Sequence, residues 1–227
     1  MAIRVLDAKR TTLKASALAL SFANQIVGQD AAREALITLL VKFMSGLYNK
    51  TKPIGSLLFL GPTGTGKTLV AEAFCKGLFE SSDKMLKIDC AEFQHSHEIA
   101  KLIGSPPGYL GHRETHPFFT NASLLAARVD DQSKEIMPFT VVLFDEIEKA
   151  SDALWSLLLG ILDKGILTTG VNEKVDFTKT IIIMTSNVGA EKLADNALIG
   201  FNSREDIIDD KGHRLGTVDI LIQHCEP

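Results

Sequence analysis

The residues from Gly61 to Thr68, GPTGTGKT, have the types and the spacing that bind a phosphate group. They fit the pattern G-x-x-x-x-G-K-[ST] and lie between an apolar run and a predicted helix, as a phosphate-binding loop requires. Glycines let the backbone curl so that N–H groups point inward, where the helix N-terminus adds partial positive charge. Lys67 is expected to reach the β- and γ-phosphates of a nucleotide, and Thr68 to ligate Mg²⁺. The candidate nucleotide-binding residues of this segment are Gly61, Pro62, Thr63, Gly64, Thr65, Gly66, Lys67, Thr68 and Leu69.

Two adjacent carboxylates, Asp145 and Glu146, follow the apolar run VVLF. Open parallel sheets bind ligands at the carboxyl ends of their strands, so this pair is expected at the same edge as the phosphate loop. Asp145 is predicted to hold Mg²⁺ through its water shell, and Glu146 to polarise the attacking water as general base. A plainer interpretation is that the acidic pair only caps the next helix. The presence of a phosphate loop in the same chain makes this interpretation less favoured.

Asn187 ends a third apolar run, TIIIMTSN, and its amide is a candidate to bind the attacking water or the γ-phosphate. Asparagine often ends a strand through turn chemistry alone, so this role requires the run to lie beside the phosphate-loop strand.

For two histidines and a tryptophan, structural interpretations are favoured over functional ones. His95 and His97 lie in a predicted helix, where side chains two residues apart face apart, so no metal site is expected. Trp155 lies among leucines at helical spacing and is expected in the core.

The elements that position these residues follow from the apolar pattern. Short apolar runs predict strands at 55–61, 85–89, 139–145 and 180–186, and the last two runs are rich in β-branched and aromatic residues. Apolar residues at helical spacing predict helices, at 12–23, at 30–48, from Lys67 to about Phe79, and from Asp152 to Gly165. Strands that alternate with helices, each strand almost continuously apolar, predict a three-layer α/β domain with a central parallel sheet. The polar segment 196–217 is expected to be a mobile loop.

The composition indicates a globular protein and limits its class. The 227 residues carry a net charge of -4, whereas a general nucleic-acid binder usually has a basic surplus. No run approaches the roughly 20 apolar residues of a membrane span. The apolar piece ASALALSFA is expected in an amphipathic helix and not in a secretion signal, which makes the cytoplasm the expected location. Three cysteines, Cys75, Cys90 and Cys225, share no metal-like spacing and are expected to be thiols in a reducing compartment.

Together, these motifs resemble the AAA+ module of Clp-type unfoldases and disaggregases, and the second ring of the ClpA and ClpB type most of all. The resemblance covers roughly residues 20–195 and rests on segments that follow one another in the family's order. Those segments are IVGQDAAREAL, GPTGTGKT, GSPPGYLGH, VVLFDEIEKAS and TTGVNEKVDFTKTIIIMTSNVG. It implies a P-loop fold with strand order 5-1-4-3-2, a homo-hexameric ring, and ATP-driven threading of polypeptide through a central pore.

The resemblance also implies roles for single residues. It places the loop and the acidic pair in the Walker A and Walker B motifs, and Asn187 at the sensor 1 position. Ile26 and Val27 match the segment that lines the adenine pocket, and Tyr109 matches the aromatic residue that grips polypeptide in the pore. The stretch GILTTGVNEKVDF, from Gly165, is similar to the family's hairpin before the sensor strand. The implied ligands are ATP or ADP with Mg²⁺, and the implied partners are polypeptide substrates and an adaptor or peptidase.

The chain departs from the family pattern after Asn187. A motif like NRID, whose arginine reaches the ATP of a neighbouring subunit, is not found, and Arg204 and Arg214 lie in other contexts. We therefore expect this chain to be a fragment of a longer protein, and the fragment to lack the small helical lid and the fifth strand. The fragment is expected to bind nucleotide, to hydrolyse ATP slowly, and to be a monomer or weak oligomer. The expected parts of the chain are a helical lead-in at 1–24, an AAA+ core at 25–195, and a loop with a C-terminal helical segment at 196–227.

Two other functions use the same nucleotide core and stay open: a nucleic-acid loader or motor, and a nucleotide-controlled assembly scaffold. An aromatic residue between glycines grips any side chain by contact area, whereas tracking along phosphates needs Lys and Arg. Tyr109 and the acidic balance therefore favour polypeptide, although His112 and Arg113 add some positive charge beside the loop.

Overall fold

The computed structural model describes residues 29–79, 84–105, 116–128 and 138–187, and the backbone of 219–223. The predicted helix at 12–23 and the loop predicted at 196–217 lie outside these residues. Within them, no helix is long and apolar enough to span a membrane.

Seven strands form two sheets. They are β1 (Gly55–Leu60), β2 (Leu86–Asp89), β3 (Thr140–Asp145), β4 (Ile166–Thr168), β5 (Lys174–Asp176), β6 (Thr180–Ser186) and β7 (Asp219–Gln223). The central sheet has the order β2-β3-β6-β1-β7, and its first four strands are parallel. β4 and β5 pair antiparallel, which confirms the hairpin implied before the sensor strand. Each of the four strands predicted from apolar runs is present, with ends that shift by a single residue at most.

In the described part of the chain, five α-helices accompany the sheets. They are α1 (Asp30–Met44), α2 (Lys67–Phe79), α3 (Ala100–Ile103), α4 (Asn121–Ala126) and α5 (Asp152–Lys164). α2 and α5 match their predictions, whereas α1 stops short of residue 48. It stops at Met44 because the chain turns back there and the N–H of Leu47 donates to the carbonyl of Lys42 at 3.0 Å.

The helix predicted around His95 and His97 is a 3-10 turn, Ser96–Ile99. The two imidazole rings do not face apart but stack, with centroids 5.7 Å apart and planes 6° apart. Short helical turns allow this because their side chains do not keep the spacing of an α-helix. In the described ranges, no group of three or more His, Cys, Asp or Glu residues is placed to hold a metal ion.

The sheet is the middle of three layers, as predicted. Successive side chains of a strand point to opposite faces, so a strand covered on both sides must be apolar throughout. On β3, Val141 and Leu143 pack in the core with α1 and α2, while Val142 and Phe144 pack with α5 on the other face. Trp155 is partly buried against the second core, which confirms its structural interpretation.

The fifth place in the sheet is filled, so the expectation that this strand is absent was wrong. β7 pairs with β1 in an antiparallel register that joins Ser56 to Gln223 and Leu60 to Asp219. It differs in direction from the parallel strand that the resemblance implies. The helical segment expected at the C-terminus is likewise wrong for Asp219–Gln223. The physical reason is that β1 would otherwise end the sheet with unpaired N–H and C=O groups, which an apolar segment satisfies by pairing.

Candidate functional site

The phosphate-loop segment forms the turn between β1 and α2. Gly64 and Gly66 have φ angles of +85° and +84°, in the left-handed region that favours glycine. A Cβ atom on either would meet nothing within 4 Å, so the requirement for glycine is conformational and not steric. The hydroxyl of Thr65 closes the turn by donating to the carbonyl of Pro62 at 2.9 Å. The strand, loop and helix predicted from the sequence are therefore all present.

The ammonium group of Lys67 lies against the carbonyls of this loop. It donates to the oxygens of Gly61 and Pro62, both at 2.8 Å. Burial lowers the pKa of Lys67, and the carboxylates of Glu148, Asp145 and Glu146 act in the opposite direction. The loop thus holds a partly buried cation at the place where the sequence predicts phosphates.

Asp145 is the centre of a hydrogen-bonded cluster at the carboxyl end of β3. The hydroxyl of Thr68 donates to its two oxygens at 3.0 and 3.2 Å, and that of Thr185 donates to Oδ1 at 2.5 Å. The ammonium of Lys87, on β2, lies 3.3 Å from Oδ2. Mg²⁺ is usually held by one or two protein oxygens together with substrate phosphates and water. The Thr68 hydroxyl and the Asp145 carboxylate, in contact beside a phosphate loop, fit that demand.

Glu146 has a strained backbone. Its φ of 57° and ψ of 50° place it in the left-handed region, which costs a non-glycine residue about 1–2 kcal/mol. Its N–H donates to the Thr185 hydroxyl at 3.0 Å, and its carboxylate accepts from Lys149 at 2.5 Å. That hydrogen bond raises the pKa of Lys149. Strain of this kind concentrates at functional sites, which agrees with the general-base role predicted for Glu146.

An open cleft with a volume of about 280 Å³ joins the loop to the carboxylates. It is lined by Thr63, Gly64, Gly66, Lys67, Thr68, Leu69, Asp145, Glu146, Glu148, Thr185, Ser186 and Asn187. The structure therefore brings Asn187 to the same cleft as the loop and the acidic pair. The residues predicted to line the adenine pocket and to grip polypeptide, Ile26, Val27 and Tyr109, lie outside the described part of the chain.

Several side chains at the site were not predicted as site residues, among them Thr185, Lys149, Lys87 and Gln29. Gln29 donates from Nε2 to the carbonyl of Thr65 at 3.0 Å and so ties the start of α1 to the phosphate loop. Thr185 carried a signal in the sequence, since a polar residue in a buried apolar strand needs a hydrogen-bond partner. Lys149 and Lys87 carried none, because their partners follow only from the sheet and its turns.

A mostly parallel sheet defines a P-loop nucleoside-triphosphatase when a glycine-rich loop at the start of a helix faces an aspartate and a glutamate at the carboxyl end of another strand of the sheet. Here that strand is β3, which β6 separates from β1. Within that class, residues 52–215 match the family model described as AAA domain (Cdc48 subfamily). The chain belongs to this family of nucleotide-binding ATPases.

Two similar proteins and one similar solved structure indicate the type of AAA+ ATPase. The chain is 40% identical over 187 residues to the chaperone protein ClpB of Clostridium tetani, covering 82% of this chain and 20% of that protein. It is 40% identical over 178 residues to the ATP-binding subunit ClpC of the ATP-dependent Clp protease of Staphylococcus saprophyticus, covering 78% of this chain and 20% of that protein. A closed-state cryo-EM reconstruction of Hsp104 with ATPγS and FITC-casein matches with a TM-score of 0.70 and 33% identity, over 88% of this chain and 32% of that one. The chain is thus an AAA+ ATPase module of the Clp type that spans about a fifth of the length of these curated relatives.

Proposed function

We propose that this chain binds and hydrolyses ATP as a module of a ring-forming protein unfoldase or disaggregase. One observation carries the proposal: Lys67 and Thr68 face Asp145 and Glu146 within a single cleft. An isolated glycine-rich turn, or an acidic pair that only caps a helix, does not require this arrangement.

Each residue of the cleft has a role in the proposed reaction. The N–H groups of the loop and the ammonium of Lys67 bind the β- and γ-phosphates. Thr68 and Asp145 would hold Mg²⁺, which would supply positive charge beside the phosphates. Glu146 gives up its hydrogen bond with Lys149, accepts one from the attacking water, and takes a proton from that water. Asn187 donates to that water or to the γ-phosphate. Ile26 and Val27 would contact the adenine.

Two variants separate binding from hydrolysis. Lys67→Ala removes the cation from the loop, so we expect ADP and ATP affinity to fall by about tenfold or more in isothermal titration calorimetry. Glu146→Gln leaves the loop intact, so it should bind ATP like the wild type and lose about 10²–10⁴-fold of the single-turnover rate. Lys76→Ala changes an exposed lysine on the same helix and should match the wild type in both measurements. A wild-type chain that binds no nucleotide would sink the proposal.

For the full-length protein, the proposed substrate is polypeptide and the proposed assembly is a homo-hexamer in the cytoplasm. The printed names of the relatives support this, since ClpB is called a chaperone and the Hsp104 reconstruction includes casein. The free, buried thiols of Cys75 and Cys90 fit a reducing compartment. Tyr109 is the proposed contact with the substrate.

The contact is tested by binding of labelled casein in the presence of ATPγS. Tyr109→Ala should lose casein binding while nucleotide affinity stays within about twofold of the wild type. Tyr109→Phe keeps the aromatic area and should retain casein binding. Loss in both variants would assign the effect to the hydroxyl and contradict a grip by contact area.

A further inference from the structure

Thr185 is a buried polar residue near the carboxyl end of the most central strand. Its side chain belongs to β6, which pairs with β3 on one side and β1 on the other. The residue is 1% exposed. A hydroxyl in such a place must be hydrogen-bonded or it weakens the fold.

Its hydroxyl makes two bonds, and both reach the acidic pair. It donates its proton to Oδ1 of Asp145 at 2.5 Å and accepts the N–H of Glu146 at 3.0 Å. A threonine hydroxyl has one donor and two acceptor positions, so both bonds form at once. One side chain therefore fixes the carboxylate of the first residue and the backbone of the second.

The second bond acts on a residue in an unfavourable conformation. Glu146 has φ 57° and ψ 50°, and such a backbone persists only where its surroundings hold it. The first bond restricts the carboxylate that also accepts from Thr68 at 3.0 Å. Without the Thr185 hydroxyl, the N–H of Glu146 and one oxygen of Asp145 each lose a partner.

We propose that Thr185 is a positioning residue that couples the metal-binding carboxylate to the general base. In this role it acts through Asp145 and Glu146, to which both of its side-chain hydrogen bonds lead. The inference rests on the proposed function, because it assumes that these carboxylates serve Mg²⁺ and the attacking water. It adds a residue outside the loop, the acidic pair and Asn187.

Thr185→Val keeps the branched shape of the side chain and removes its hydroxyl. We expect its ADP affinity in EDTA to stay within about twofold of the wild type, because the phosphate loop is untouched. The gain in affinity that Mg²⁺ brings should fall by about 10–100-fold, as for other groups that orient metal ligands. Thr185→Ser restores the hydroxyl and should recover most of that gain. Both affinities come from calorimetric titrations of the 227-residue chain with and without MgCl₂.

Thr180→Val is the matched control, since Thr180 lies on the same strand, is fully buried, and donates to the carbonyl of Phe177 at 2.7 Å. It also loses a buried hydroxyl, but far from the cleft, so it should lower the unfolding midpoint and leave the effect of Mg²⁺ unchanged. If Thr185→Val behaves in the same way, Thr185 is structural only and the inference is overturned. If Thr185→Val does not fold, Thr185→Cys, whose thiol is a weak hydrogen-bonding group, is titrated instead with the same expected loss.

The two proposals fail in different ways. A wild-type chain that binds no nucleotide overturns the proposed function and, with it, this inference. A wild-type chain whose affinity rises with Mg²⁺, beside a Thr185→Val chain whose affinity rises equally, overturns the inference alone.

Discussion

Lys67 carries the charge proposed to bind the phosphates, and its burial and its neighbours act on the pKa of that charge in opposite directions. Burial lowers its pKa from the ordinary value of 10.5, whereas Glu148, followed by Asp145 and Glu146, acts to raise it. Phosphate binds the ammonium form, which is present below the pKa and lost as the pH rises through it. ADP affinity should therefore begin to fall at a lower pH than it would with an ordinary lysine. Above the pKa of Lys67, the affinity should fall by up to about tenfold per pH unit.

Glu148→Gln tests which carboxylate sustains that charge. Glu148 is the largest of the three opposing influences on Lys67, so its neutralisation should lower the pKa of Lys67 further. The alkaline loss of ADP affinity should then begin at a lower pH than in the wild type. Calorimetric titrations from about pH 7 to about pH 10 would show the shift. Glu92→Gln, at an exposed position outside the cleft, should leave the curve in place, and superimposed curves for all three chains would contradict the argument.

Lys149 and Glu146 form an ion pair, so the carboxylate proposed as general base already has a partner. The pair is about two-fifths exposed on each side, at 43% and 42%, so water screens it and its energy is small. Lys149→Met frees the Glu146 carboxylate for the attacking water, so single-turnover hydrolysis should rise, by at most about fivefold. Lys164→Met removes an exposed lysine away from the cleft and should leave the rate unchanged. A lower rate in Lys149→Met would show that the lysine assists the base.

At the scale of single residues, the sequence predicts what a contiguous motif encodes. Lys67 and Thr68 were predictable because the loop sets their position relative to one helix terminus. Thr185 and Lys149 were not, because the hydroxyl meets Asp145 only through strand pairing and the lysine meets Glu146 only through the left-handed turn. Contacts between segments distant in the chain depend on register, which no local pattern contains.

The hairpin of β4 and β5 is an element held at both its tip and its outer edge. At the tip, the N–H of Gly170 donates to the carbonyl of Ile103 at 2.8 Å. At the edge, Asn121 accepts from the N–H of Asp176 at 3.1 Å and donates to the carbonyl of Lys174 at 2.9 Å. The Asn121 amide thus pairs with β5 much as a neighbouring strand would. The hairpin is therefore attached to the end of α3, at Ile103, and to the start of α4.

Gly170 is the residue that permits this close approach. A Cβ atom there would lie 2.3 Å from the carbonyl oxygen of Gly104, a contact that the backbone must shift to relieve. Gly170→Ala should therefore lower the free energy of unfolding by about 1–3 kcal/mol. Gly160→Ala is a control of opposite sign, because a Cβ there meets nothing within 4 Å and alanine favours the interior of α5 by about 0.5–1 kcal/mol. Urea unfolding midpoints would compare the two, and equal shifts would contradict the close-contact argument.

Whole elements were more predictable than their contacts. β6 and α2 were predicted to the residue, because a buried strand reads as an apolar run and a helix that follows the phosphate loop has a marked start. The hairpin strands are three residues each, too short for a periodic signal, and were expected only from the resemblance. The 3-10 turn at Ser96–Ile99 was mistaken for a helix because both bring apolar residues to similar spacing.

At the scale of the molecule, the three-layer arrangement follows from strands that are apolar on both faces. The strand that pairs at the edge of the sheet cannot be inferred from that apolar pattern. β7 joins β1 antiparallel, with Leu58 opposite Leu221, across a long stretch of chain. The apolar run DILIQ could pair in either direction, and its choice depends on the path of the intervening chain. This is why the sheet's layers were predictable from the sequence and the fifth strand was not.

The rate of the proposed reaction depends on which positive charges reach the transferred phosphate. Among the described residues, the cleft is lined by one cation of the loop, Lys67, and by no arginine. A ring ATPase gains about 10³–10⁵-fold in rate from an arginine that reaches the transferred phosphate. Neither Arg204 nor Arg214 lies in the sequence context that supplies one from a neighbouring subunit. We therefore expect these 227 residues to bind ATP and to hydrolyse it at least about 10³-fold more slowly than an assembled ring.

Light scattering and turnover measured on the same samples would test this. With ATP and the Glu146→Gln variant, which should bind without hydrolysis, the mass should stay near the 24.7 kDa of one chain. The wild-type rate should rise in proportion to concentration, because no neighbour contributes to the cleft, whereas ring assembly would make the rate per chain rise as well. A hexameric mass together with fast turnover would contradict the prediction, since the arginine would then have to come from within these residues.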